Sequence, residues 1–354
     1  MRSNQTVQSR TDQVPRGAPL RPSIDGSPHR FYSNVLGFIP AAGIAAACVA
    51  EKPNLMRILS VLLLSLVGAG LRAGEPLPSV PVGRIERIEA LPSKFVAARN
   101  IDVWLPPGYD GKTRCAVVYL HDGQTLYDPS KTWMKQAWNM AQTTADLIGK
   151  GEIPPTILVG IWNTGASRHS EYFPEKTLEF LPKEIRDEFV AKALQGKPRS
   201  DAYLRFLVEE LKPLIDSRYA TLPDQAHTIV MGSSMGGIIS LYAMCEYPDV
   251  FGAAGCLSTH WLGIFEPNAV FPMAAFEYLQ RHLPSSDGHK LYMDRGDKTL
   301  DTLYPEAQSF ADVLIRAKGY DDKHFVSRVF PGANHSETSW ASRVALPLVF
   351  LDGK

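Results

Sequence analysis

Apolar residues are distributed along this chain in two distinct ways. Cys115 to Leu120 and Thr156 to Trp162 are almost unbroken apolar runs, and His227 to Met231 carries a third. Runs of that length without alternation predict central parallel strands, covered on both faces. Arg84 to Ile88 instead alternates charged and apolar residues, as does the neighbouring stretch out to Val82 and Ala90, which predicts a half-exposed strand. Ile101 to Leu105 predicts another strand, ended by the turn residues Pro106, Pro107 and Gly108. Further strands are expected at 252–258, 290–294 and 325–331.

Helical spacing appears between these runs. Leu204, Leu207, Val208, Leu211 and Ile215 predict a helix over Asp201 to Ser217, with Asp201 as its N-cap. Ala307, Phe310, Ala311 and Leu314 predict another over Pro305 to Lys318, where Pro305 suits the first turn and Gly319 the stop. Ile238 to Met244 and Ser339 to Leu351 complete the set. Strands alternating with helices predict a single α/β domain, 74–354, with a mostly parallel central sheet flanked by helices on both faces. Residues 163–200 are too long for a plain connection and are expected to cover part of the site.

The first seventy residues depart from this pattern. Residues 1–34 are rich in Arg, Ser, Pro and Gln without apolar periodicity, so no fold is expected there. Met56 and Arg57 then open onto the apolar run Ile58 to Val67, followed by Gly68, Ala69, Gly70 and Ala73. A short basic start, an apolar centre too short to span a bilayer and a small-residue end make a signal peptide over 56–73. Residues 1–55 then read as an upstream extension, with translation starting at Met56. The expected product is periplasmic or secreted, with no stable membrane span after cleavage. A single amino-terminal anchor built from 35–49 and 58–67 is the alternative.

Composition adds mainly exclusions. Thirty-seven basic and 37 acidic residues balance to zero, which gives no electrostatic footprint for nucleic acid. The four cysteines, Cys48, Cys115, Cys245 and Cys256, show no metal-site or disulfide spacing, so buried thiols are expected and a Cys245–Cys256 bridge stays open. The oligomeric state is not legible.

Chemistry concentrates at Gly232-Ser233-Ser234-Met235-Gly236, directly after an apolar run and before a helix. Glycine two residues either side of a serine, at a strand-to-helix corner, is the nucleophile elbow of α/β-hydrolases. A serine hydroxyl needs a base to take its proton, and the base needs an orienting acid. His335, in a Gly-containing loop after the last predicted strand, is the candidate base. The acid is expected in the loop after 290–294, where Asp301 is preferred and Asp297 remains open. Backbone N–H groups of Met235 and Gln124 are the candidate oxyanion donors. His260 and Trp261 follow one strand end, and Trp162, Asn163 and Arg168 another. That is where open α/β sheets bind ligands, so these five are candidate substrate contacts. For Arg168 a salt bridge within the protein is the competing reading.

The motifs resemble the esterase D or enterochelin esterase-like family of α/β-hydrolases. The resemblance is carried by Val103 to Tyr109, Tyr119 to Gln124 with Trp133, and Gly160 to Asn163 with Arg168, Glu171 and Tyr172. It continues through Tyr203 to Phe206, Glu210 to Asp216, Gly232 to Gly237, Leu257 to Trp261, Gly296 to Asp301, and His335 to Glu337 with Trp340. It implies a serine carboxylic-ester hydrolase working through an acyl-enzyme, without metal or cofactor, on a small-molecule or glycan ester. An acyltransferase using the same triad with a sugar or alcohol acceptor is the alternative.

Overall fold

A computed structural model describes residues 75–353. The expected upstream extension, 1–55, and the signal peptide, 56–73, lie outside the described residues. Eight strands form one sheet: β1 (Arg84–Leu91), β2 (Arg99–Leu105), β3 (Ala116–His121), β4 (Thr156–Ile161), β5 (Thr228–Ser233), β6 (Ala253–Leu257), β7 (Lys290–Arg295) and β8 (Phe325–Val329). Their order is β1-β2-β4-β3-β5-β6-β7-β8. The β1–β2 and β2–β4 pairs are antiparallel, and every pair from β4 to β8 is parallel. This is the mostly parallel sheet of the α/β-hydrolase class.

Burial explains which patterns became which strands. All residues of β3, β4, β5 and β6 are buried, as unbroken runs require, whereas edge strand β1 fully buries only Ile85. Side chains then part to the two faces with period two. Val117 and Tyr119 join one apolar cluster, and Val118 and Leu120 join the other.

Ten helices accompany the sheet among the described residues: α1 (Met140–Gly149), α2 (Arg168–Tyr172), α3 (Lys183–Lys192), α4 (Ser200–Arg205), α5 (Lys212–Arg218), α6 (Met235–Glu246), α7 (Val270–His282), α8 (Pro305–Ala317), α9 (Glu337–Ala341) and α10 (Ala345–Asp352). Helices α4 to α8 pack on one face; α1 and α10 pack on the other. No helix of the described residues is long and apolar enough to cross a membrane.

Three sequence expectations are corrected. The helix expected over 201–217 is interrupted by a π-helical stretch, Phe206–Leu211, between α4 and α5. Asp201 does not cap it: Arg199 holds the N-cap position, and the Asp201 carboxylate instead accepts the Tyr242 hydroxyl. The last helix is two helices, α9 and α10, separated by Ser342, Arg343 and Val344. Cys115, Cys245 and Cys256 are free buried thiols, so no Cys245–Cys256 bridge forms.

Candidate active site

The β5–α6 corner is built by close backbone approach. A Cβ on Gly232 would lie 2.8 Å from the carbonyl carbon and oxygen of Gly236, so neither turn of this corner has room for a side chain there. Ser234 sits between them at φ 55, ψ −121, outside the ordinary range for a side-chain-bearing residue. Such strain persists only where the surroundings enforce it. Here Ser234 N donates to Leu257 O at 2.9 Å, and its carbonyl accepts His260 N at 3.0 Å. The hydroxyl borders a cleft of about 710 Å³ that His335 also borders. The buried Tyr304 hydroxyl lies 3.0 Å from His260 Nδ1.

His335 and Asp301 are brought together by two loops that touch through backbone. Asp297 N and Lys298 N each donate to Ala333 O at 3.0 Å, and Thr299 Oγ1 accepts His335 N at 2.8 Å. Gly296 permits this, because a Cβ there would stand 2.1 Å from Ala333 O. His335 Nδ1 lies 2.6 Å from Asp301 Oδ1. The other carboxylate oxygen accepts Ser258 Oγ at 2.7 Å and Gly296 N at 2.6 Å. Burial pushes the fully buried Asp301 carboxyl up, but its hydrogen bonds and the neighbouring His335 outweigh burial and hold it below the usual carboxylate range. Of the two candidate acids, Asp301 is the one that meets His335: Asp297 is half-buried, accepts Gly332 N at 2.8 Å and pairs with Lys298. It makes no contact with His335 among the described residues.

The two oxyanion candidates lie on different elements. Met235 is the first residue of α6, whose leading N–H groups have no partner within the helix. Gln124 borders the cleft in the short 3₁₀ turn Gly123–Thr125, which follows Asp122 at φ 57. Gly123 presses this turn onto β4, where a Cβ would meet the Gly160 carbonyl carbon at 2.4 Å.

The candidate substrate contacts divide. Trp162, Asn163 and Arg168 border the cleft, and each is engaged by the protein itself. Trp162 Nε1 donates to Asp102 at 2.9 Å under the Arg87 guanidinium, and Asn163 Nδ2 donates to Asp122 at 2.7 Å. Arg168 grips Asp122 with two bonds of 2.8 and 2.6 Å, so the salt-bridge reading holds. His260 and Trp261 are corrections. Both are buried and neither lines the cleft, because the chain turns inward after β6. Trp261 packs on Phe276 and donates its indole N–H to Gln308 at 3.2 Å. His260 lies behind the nucleophile, where burial holds its ring pKa down at about 3 and so keeps it neutral. Of the expected cover, only residues 163–168 reach the cleft; Phe173, Leu178 and Phe189 form a separate apolar cluster with Phe271.

Several residues at this site escaped sequence reasoning. Trp133 is 87% exposed at the cleft border, and Trp340 packs edge-on against the His335 ring, 5.0 Å between centroids. Both were visible only as members of family motifs. Ser258 was visible only within the Leu257 to Trp261 motif, and Tyr304 and Arg343 gave no signal.

An imidazole fixed by a buried carboxylate, in a cleft shared with a strained serine, can accept and return one proton during acyl transfer. The family model described as "Putative esterase" matches residues 94–346. Among curated relatives, Uncharacterized protein YbbA of Bacillus subtilis (strain 168) is 25% identical over 165 residues, 46% of this chain and 58% of that protein. The Endo-1,4-beta-xylanase/feruloyl esterase of Xylanibacter ruminicola is 24% identical over 263 residues, 73% of this chain and 30% of that protein. The chain spans 58% and 51% of the lengths of the first two curated relatives it matches. In fold it is similar to the enterobactin esterase FES from Shigella flexneri, with a TM-score of 0.56 at 16% identity, covering 79% of this chain and 61% of that one. The strand order, the serine corner and the family match over 94–346 together make this chain a member of the Esterase family.

Proposed function

We propose that this protein is an exported serine esterase that hydrolyses a carboxylic ester through an acyl-enzyme. The observation that carries the reading is the 2.6 Å contact between His335 Nδ1 and a buried, ionised Asp301. A carboxylate at Nδ1 fixes the proton there and leaves Nε2 as the acceptor. His335 Nε2 then removes the Ser234 proton as Oγ attacks the ester carbonyl carbon. The carbonyl electron pair moves onto oxygen, where the N–H groups of Met235 and Gln124 stabilise it. Collapse breaks the bond to the alcohol, which leaves with the proton from His335. Water repeats the sequence on the acyl-serine and releases the acid.

Export rests on the sequence pattern over 56–73. For substrate we favour a small-molecule or glycan ester carrying a ring, because Trp133 offers an exposed aromatic face at the cleft border. Relatives named as feruloyl and ferri-bacillibactin esterases agree with a ring-bearing substrate. Ser234→Ala and His335→Ala are each expected to abolish turnover of a p-nitrophenyl ester while the protein stays folded. Near wild-type turnover in either rejects the reading. Product mass spectra taken with and without a sugar acceptor distinguish hydrolysis from acyl transfer.

A further inference from the structure

Asp301 is held by more than its histidine. Ser258 Oγ donates to Asp301 Oδ2 at 2.7 Å, and the same oxygen accepts Trp340 Nε1 and Arg343 Nη2, each at 3.0 Å. A hydroxyl has one proton and two lone pairs. With both lone pairs occupied by donors that cannot reverse, the Ser258 proton has one destination, the Asp301 carboxylate. Arg343 is fixed in turn by two bonds to Asp294, of 3.1 and 2.9 Å. Ser258, Asp294, Asp301, Arg343 and Trp340 are all buried. Ser258 also lies at φ 44, where glycine fits better than any side-chain-bearing residue. The backbone cost of a side chain there is offset by what the hydroxyl does.

We propose that Ser258 is a positioning residue for the reaction: its hydroxyl, aimed by Arg343 and Trp340, sets the Asp301 carboxylate so that the other oxygen meets His335. The proposal rests on the triad reading of Ser234, His335 and Asp301. Without Ser258 the carboxylate charge is less shared, so it binds an imidazolium more tightly. The Asp301–His335 pair then takes up a proton at higher pH and loses its base earlier on acidification. The other titratable and charged groups around the pair are Asp294 and Arg343 beyond Ser258, Tyr304 and His260 behind the serine, Glu337 after the histidine, and the Arg168–Asp122 pair bordering the cleft. All of them remain in a Ser258 variant.

The test is Ser258→Gly beside Ser258→Ala, with p-nitrophenyl ester kinetics across about pH 5 to 9 and thermal unfolding of each protein. Glycine relieves the Ser258 backbone but leaves Trp340 Nε1 and one Arg343 bond without their acceptor, so that variant is expected to fold and to melt within a few degrees of wild type. Its kcat should fall by about tenfold or more, as expected for loss of one hydrogen bond to a charged group, with KM within about twofold. The acidic limb of kcat/KM should move upward by about half a pH unit or more. A folded Ser258→Gly with unchanged kcat and an unmoved limb overturns the proposal, as does a rate loss that only tracks loss of folded protein. Ser234→Ala in the same assay separates the two claims: if it still turns over, the triad reading fails, and if it is dead while Ser258→Gly is unaffected, only the role of Ser258 fails.

Discussion

Two buried aspartates stand at opposite ends of the same sheet and behave in opposite ways. At the carboxyl ends of the strands, Asp301 receives Ser258, Gly296 and His335, and stays ionised although burial opposes it. At the other end, Asp352 faces the start of β4 with a single hydroxyl, Thr156 Oγ1, at 2.6 Å. That hydroxyl also lies 2.8 Å from Pro154 O, and its one proton serves one acceptor at a time. When protonated, the acid supplies the missing donor. Burial accordingly pushes the Asp352 carboxyl up to about 7. Burial is common to both residues, and the number of converging donors decides the charge. The donors gathered on Asp301 hold its anion at neutral pH, whereas Asp352 is only partly ionised there.

The sharpest way to break this contrast is Asp301→Asn. An amide can present its N–H₂ to Nδ1 and invert the imidazole tautomer, so kcat should fall roughly 10⁴-fold with the fold retained. Steady-state kinetics with circular dichroism checks this, and loss of less than about tenfold contradicts it. Gly296→Ala attacks the same end through the backbone: its Cβ would meet Ala333 O and drive the acid and base loops apart. A drop in kcat of about a hundredfold and a lower melting temperature are expected.

Asp352→Asn probes the passive end. A raised carboxyl pKa means the folded state binds more protons than the unfolded state between about pH 4 and 7. Stability therefore falls as pH rises through that window, and an amide removes the loss. The variant should melt a few degrees higher at pH 8, about the same near pH 4, and turn over ester as before. Equal melting shifts at both pH values would contradict the assignment. Asp297→Asn should be the quietest change, with kcat within about twofold of wild type, because it removes only a surface ion pair with Lys298 while the amide oxygen can still accept Gly332 N.

What could be read beforehand follows from how locally each feature is encoded. Ser234 and the strand before it were legible because the corner needs glycine at fixed offsets and a fully buried strand needs an unbroken apolar run. His335 was legible from its loop after the last strand. Asp301 and Asp297 could not be told apart, since the difference lies in which one the Ala333 contact turns inward. Trp261 misled because a residue after a parallel strand usually faces the ligand side; here core packing on Phe276 and a partner for its N–H in Gln308 draw it in. The π-helical stretch at Phe206–Leu211 keeps apolar residues facing the core and so leaves helical periodicity nearly unmarked. The roles of Ser258 and Arg343 were invisible, since the bonds that join them to Asp301, Asp294 and each other span 43 or more positions and no local pattern marks them.

The central claim is that Ser234 becomes acylated. Intact-protein and peptide mass spectrometry after rapid acid quench of the enzyme with an excess of a p-nitrophenyl ester tests it most directly. The account predicts one acyl group per protein, on the peptide containing Ser234, lost with time in the wild type and absent from Ser234→Ala. Turnover without any adduct, or an adduct on another residue that Ser234→Ala retains, would contradict it.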